Sequence, residues 1–133
     1  DSCYFNKIKS GGSVTLDDGT IVPNEVLSFD PEPTQSYAFC SDTLYNEDIV
    51  PLIENVTVLY HESTFLEKDS DKCASTMHST AKQAAQIAKL ASAKHLILGH
   101  YSTRYGDLEL FKNEALQVFD QVLLAEDGKQ FKF

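Results

Sequence analysis

Arginine is nearly missing from these 133 residues: Arg104 is the only one. Eleven basic residues face twenty acidic ones, for a net charge of −9. Affinity for a nucleic acid rests mostly on Lys and Arg at phosphates, so this balance excludes broad, charge-driven binding. A polyanionic substrate would have to be held by a few local groups, a metal or another part of the protein. Long apolar runs are lacking too. The richest stretches are broken by Glu, His or Lys within a few residues, which excludes a membrane-spanning helix. The first residues, Asp-Ser-Cys-Tyr-Phe-Asn, lack the basic-then-apolar order of a secretory signal. The three cysteines, Cys3, Cys40 and Cys73, are odd in number and far apart, with no Cys-x-x-Cys spacing. Neither a disulfide framework nor a thiolate zinc site is indicated, and a reduced, cytoplasmic setting is expected. No internal repeat or low-complexity tract interrupts the chain.

What is present suits one domain spanning residues 1–133, since 42% hydrophobic content is enough for a core. Residues 13–22 read as a hairpin turning at Asp18-Gly19. A looser stretch with Pro31 and Pro33 follows. Ser36 to Ser41 reads as a short buried strand ending at Asp42, and Tyr45 to Glu54 as a helix cut short by Pro51. A second apolar strand, Val56 to Tyr60, runs into His61-Glu62, and a polar loop spans Glu67 to Met77. Thr80-Ala-Lys-Gln83 has capping-box spacing and opens a helix over 80–93 with Ala84, Ile87, Ala88 and Ala91 on one face. A third strand, His95 to Leu98, ends at Gly99-His100. Residues 107–123 have the period of an amphipathic helix, and two short extended pieces flank Asp127-Gly128. Alternating strands and helices predict α/β layering.

The reactive side chains gather where that layering puts ligands. Asp42, His61-Glu62 and His100 each fall just past the carboxyl end of a predicted strand, the edge at which α/β folds collect catalytic groups. Singly, each has a plain structural reading. Asp42 could cap a following helix, His78 could be incidental to Ser-Thr capping chemistry, and His100 could be a structural strand-end histidine. His95 has no partner pattern and reads as structural. Together, a carboxylate and several imidazoles at one sheet edge suit zinc or manganese. Asp42 has two oxygens and can bridge two metals. His78 precedes a helix N-terminus, where backbone N–H groups favour a phosphate oxygen.

Four segments then carry a more specific signal. Phe39-Cys-Ser-Asp-Thr43, His61-Glu-Ser-Thr-Phe65, His78-Ser-Thr80 and Gly99-His-Tyr-Ser-Thr-Arg-Tyr105 resemble, in order and spacing, successive motifs of ribonuclease Z. Gln83-Ala-Ala-Gln-Ile-Ala88 is similar to a helix of the same family. The resemblance runs over roughly residues 36–127, and the His-Glu-(small)-Thr and His-Ser-Thr pair sets it apart from the wider metallo-β-lactamase superfamily. It implies that this chain is the carboxy-terminal half of a metallo-β-lactamase-type αββα sandwich, one mixed sheet covered by helices. It implies a zinc-dependent endoribonuclease that removes the 3′ trailer from precursor tRNA by two-metal phosphodiester hydrolysis.

Residue by residue, the resemblance implies that Asp42 bridges two Zn2+ ions and His100 ligates one. Glu62 and His78 would form a pair near the leaving group, with His78 the proton donor. Arg104 would lie near the site, as a substrate-phosphate contact or in a structural ion pair. His61 is expected to be structural, because Glu62 beside it should point to the opposite face of the strand end. Gly99 stands where the family usually has Thr, Tyr101 where Phe is commoner, Ser63 where Ala is usual, and Ser41 where Gly is common. The family's His-x-His-x-Asp-His motif is not among these residues. Asp42 and His100 alone are too few for two catalytic zinc ions, so the isolated chain is expected to be inactive and to retain zinc poorly. The missing amino-terminal half, precursor tRNA and a second copy in a dimer are the expected partners. The rivals are a superfamily hydrolase of a small phosphodiester or other ester, and a non-catalytic dimer or scaffold remnant.

Overall fold

Four short segments rich in Leu, Ile, Val and aromatic residues pair side by side. A computed structural model describes residues 4–29 and 32–133, so Cys3 and Pro31 lie outside the described residues. Within residues 35–133 the strands are β3 (Tyr37–Cys40), β4 (Val58–Glu62), β5 (His95–Gly99) and β6 (Val122–Leu124), in that spatial order. All of their pairings are parallel, so the sheet expected to be mixed runs in one direction. Parallel pairing follows from the connections, each of which must cross back over a face before the next strand starts. The register sets Cys40, His61, Leu98 and Leu124 in one row, with Glu62 opposite Gly99 one step further on. The carboxyl ends of β3, β4 and β5 are therefore level. Asp42, Glu62 and His100 meet for that reason alone.

One face of the sheet is packed against helices. Leu59, Leu96 and Leu98 point into it and are fully buried, together with Ile87 of α4 (Ala81–Leu90) and Phe111 of α5 (Glu109–Ala115). Ala81, Ala84, Ala85 and Ala88 give α4 a side with no bulk, which lets its backbone come close to the strands. Burying each such Leu or Phe side chain is worth roughly 1.5–3 kcal/mol. The start of α4 is set by the expected capping box. Thr80 Oγ1 accepts from Gln83 N at 3.1 Å, and Thr80 N donates to Gln83 Oε1 at 2.9 Å.

The other face is thinly covered. Tyr37 and Phe39 alternate outward from β3 and are 61% and 62% exposed, with Phe39 stacked on Tyr60 at 4.6 Å between ring centroids. β3 is thus not the buried strand its apolar sequence suggested, because it is an edge strand packed on one face only. Near the other end of the sheet, the tail folds over. Phe133 lies 4.9 Å from the His95 ring, and Gln35 Nε2 donates to Phe133 O at 2.5 Å.

The second amphipathic segment also differs from its pattern. A helix over 107–123 is expected, whereas α5 ends at Ala115. Val118 and Phe119 still pack on the core, but the chain must leave the helix to lay Val122 beside β5. The ladder bonds Leu96 N to Gln121 O and Ala125 N to Leu98 O, both 2.8 Å, hold it there. Sheet pairing overrides helical period. The polar 67–77 stretch contains a 3-10 turn, Glu67–Lys72, and the short helix α3, Cys73–Thr76.

Residues 1–34 form a second compact unit. It holds α1 (Phe5–Lys9), α2 (Asn24–Leu27) and the expected hairpin, β1 (Val14–Thr15) against β2 (Ile21–Val22). The turn is closed by Thr20 N donating to Asp18 Oδ1 at 2.9 Å, with Gly19 at φ +83°, a conformation open to glycine.

Candidate active site

Two of the expected ligands sit on strained backbone. Asp42 follows β3 with φ +50° and His100 follows β5 with φ +58°, a region that non-glycine residues seldom occupy. Such outliers persist only where the surrounding structure enforces them, and they concentrate at functional sites. The turn places His100 Nε2 3.3 Å from Asp42 Oδ1. Met77, in the left-handed cap of α3 at φ +60°, swings the chain so that His78 reaches the same edge. The His78 and His100 rings are 5.0 Å apart, and one ligand atom each from Asp42, His78 and His100 lies within 4.8 Å of the others.

Beneath this trio lies a buried carboxylate. Glu62 has no solvent exposure, yet each of its oxygens is saturated. Oε1 accepts from Thr43 N at 2.9 Å and is 2.8 Å from His78 Nδ1. Oε2 accepts from Thr64 N at 3.1 Å and from Thr64 Oγ1 at 2.7 Å. A buried charge is tolerable only with such partners. Thr64 Oγ1 in turn lies 2.9 Å from His100 Nδ1, and Ser102 N donates to Thr64 O at 3.1 Å. Ser79 Oγ donates to Thr43 O at 2.6 Å, tying the segment after His78 to the one after Asp42.

Of the residues singled out in the sequence, Asp42, Glu62, His78 and His100 come together. Arg104 does not join them directly. Its Nη1 is 3.5 Å from Asp69 Oδ1, its Nε donates to Ser102 Oγ at 3.2 Å, and it lies over the Phe65 ring at 5.1 Å. Asp69 also takes Lys72 Nζ at 2.5 Å and the Tyr105 hydroxyl at 2.6 Å, and these bonds pull its pKa down to about 2. His61 points to the helix-covered face, opposite to Glu62, and is fully buried. Its Nδ1 bonds the Glu62 carbonyl at 2.8 Å, while Nε2 has no partner among the described residues. Burial lowers the His61 pKa, which disfavours the charged ring. His95 lies away from the edge, against Phe133.

Sequence reasoning missed Thr64, Thr43 and Ser79. The first two flank named residues inside motifs, so a count of hydroxyl and amide donors for a buried carboxylate could have raised them. Gly99, where the family usually has Thr, has a steric reason in this structure. A Cβ at Gly99 would collide with the Tyr60 ring, so this glycine makes room for Tyr60 at the edge of the site. Ser63 Oγ donates to Gly99 O at 3.1 Å and Tyr101 hydroxyl to Leu98 O at 2.5 Å, so both polar substitutions are satisfied locally.

No family model matches the sequence. Known proteins do. The chain is 43% identical over 124 residues to a ribonuclease Z of Parabacteroides distasonis, a match covering 93% of this chain and 41% of that protein. It is 52% identical over 98 residues to the ribonuclease Z of Cytophaga hutchinsonii, covering 74% of this chain and 31% of that one. This chain is similar to ribonuclease Z over most of its length. It spans about two fifths of the length of the curated ribonuclease Z proteins it matches over nearly its whole length. The metallo-β-lactamase fold protein YhfI from Bacillus subtilis superposes with a TM-score of 0.67 at 27% identity, over 74% of this chain and 40% of that structure. The α/β layering expected from alternating strands and helices is thus part of a metallo-β-lactamase fold.

Proposed function

We propose that this chain supplies one side of the active site of a metal-dependent endoribonuclease, whose complete form removes the 3′ trailer from precursor tRNA. The observation that supports it most is the 2.8 Å contact between buried Glu62 and His78 beside the Asp42–His100 pair. Asp42 and His100, a carboxylate and an imidazole 3.3 Å apart, are ligand types that fit zinc. In this reading Asp42 and His100 hold metal, with two zinc ions in the complete site and the remaining ligands contributed from outside this chain. Bound zinc supplies Lewis-acid polarisation of the phosphate and a nucleophile at neutral pH.

The chain's own side chains do the rest. Glu62 holds His78 through Nδ1, which leaves Nε2 as the atom facing the reacting bond. His78 there gives a proton to the departing ribose oxygen. Arg104 is assigned to its pair with Asp69 rather than to substrate. The partners are the remainder of the enzyme, precursor tRNA and a second copy, in the cytoplasm.

Isothermal titration of the isolated chain should give weak zinc binding or none, and two tight sites would overturn the half-site. The complete enzyme should cleave precursor tRNA far better than a small chromogenic diester. The net charge of −9 favours the second reading, a hydrolase of small phosphodiesters. A reversed preference in that assay would establish it.

A further inference from the structure

Thr64 has been given no role in the chemistry, yet its hydroxyl stands between the two halves of the site. Oγ1 is 2.7 Å from Glu62 Oε2 and 2.9 Å from His100 Nδ1. A hydroxyl carries one proton and can donate it once, while an ionised carboxylate can only accept. The shorter, charge-assisted bond takes that proton, in preference to the His100 carbonyl at 3.1 Å. Towards the ring the hydroxyl is then an acceptor, and His100 must bring a proton on Nδ1. Asp42 Oδ1 competes for that one proton at Nε2, but at 3.3 Å and in solvent it lies outside the usual hydrogen-bond range, so the shorter bond from Nδ1 to Thr64 prevails and Nε2 keeps its lone pair.

We infer that Thr64 is a positioning residue. Together with Glu62 it forms a carboxylate–hydroxyl–imidazole relay that fixes the tautomer and the ring orientation of His100. The same carboxylate holds His78 through its other oxygen, so one buried group sets two imidazoles at once. Thr64 is 8% exposed and backbone-bonded on both sides, so the relay is built into the end of β4 and does not depend on a mobile side chain. The inference rests on the proposed function only where it concerns metal. The relay itself is a statement about hydrogen bonds in the metal-free chain.

The test has two arms. In the first, long-range proton–nitrogen NMR on the 133-residue chain with labelled histidine reads which ring nitrogen carries the proton, at alkaline pH where imidazoles are neutral. Wild type should show His100 protonated on Nδ1, Thr64→Val should lose that preference, and Thr64→Ser should restore it. His100 protonated on Nε2 in wild type overturns the relay without any variant, and so does an unchanged tautomer in Thr64→Val. The second arm is zinc competition against a chelator in the complete enzyme. Thr64→Val should bind zinc about 10–100-fold more weakly, the usual effect of losing a group that orients a metal-bound histidine. Thr64→Ser should fall within a few-fold of wild type. Equal zinc affinity in all three forms would overturn the inference. A complete wild-type enzyme that binds no zinc would instead sink the proposed function, and the first arm would still decide the relay.

Discussion

Asp42 and Glu62 stand at the ends of neighbouring strands and live in opposite surroundings. Asp42 is largely exposed, on strained backbone, with an imidazole nitrogen at 3.3 Å and a hydrogen bond from Ser41 Oγ at 3.3 Å. Glu62 has no exposure and bonds to Thr43, Thr64 and His78. A carboxylate with spare lone pairs at a rim can take a cation. One whose lone pairs are already filled by the protein can only organise its neighbours. The same functional group is thus left open at one position and saturated at the other by its supply of donors. Net charge says nothing about that division.

The largest effect should come from emptying the buried position. Glu62→Ala leaves Thr43 N, Thr64 N and the Thr64 hydroxyl without their acceptor and should destabilise the fold by about 3–5 kcal/mol, the range for breaking a buried charged network. Urea denaturation of the chain measures this, and a loss under 1 kcal/mol would show that Glu62 frames nothing. Asp42→Ala should behave in the opposite way. Its stability should change by less than about 1 kcal/mol, because an exposed group is removed, while the complete enzyme loses metal and activity together. Retained zinc by elemental analysis would remove Asp42 from the ligand set.

His78 sharpens the contrast, since it touches the buried carboxylate and also faces the rim. His78→Ala should keep zinc in the complete enzyme while turnover falls by about 10²–10⁴-fold, as for loss of a general acid. Zinc lost in parallel with activity would make His78 a ligand, which its place among the three donors allows. The smallest effect belongs to Asp69, outside the comparison but charged like both of its members. Its carboxyl is held down to about 2 by Lys72 and Tyr105, so its contribution to stability is present above the ordinary Asp value near 3.8. That contribution is lost as pH falls through about 2. Asp69→Asn should therefore lower the denaturation midpoint at neutral pH and converge with wild type towards pH about 2. A constant offset across that window would show that the ion pairs contribute nothing.

Much of this was legible in the sequence. Strand positions, the capping box at Thr80 and the hairpin at Asp18-Gly19 follow from local chemistry that acts over three or four residues. The four motif residues were legible in another way, through the order and spacing by which their segments resemble those of ribonuclease Z. Other features needed distant parts of the chain to meet. α5 stops at Ala115 although its apolar period continues, because Val122 has a better use as the neighbour of Leu96. β3 looks like a buried strand in composition and is half exposed, because being an edge depends on what lies next to it. Arg104 could be weighed only as phosphate contact or ion pair until Asp69, well upstream in the chain, arrived beside it.

By itself the sequence marked the candidate side chains and put Asp42, Glu62 and His100 at strand ends and His78 ahead of a helix. Side-chain type and period are properties of the chain, and they survive unfolding. Only the tertiary structure decided how one carboxylate comes to be buried and saturated while the other stays open at the rim. Burial and hydrogen-bond supply at Glu62 come from Thr43, Thr64 and His78, and the parallel register of β3, β4 and β5 is what brings those segments to one point. An ionised group is defined energetically by the dipoles around it, and those dipoles are assembled only by folding.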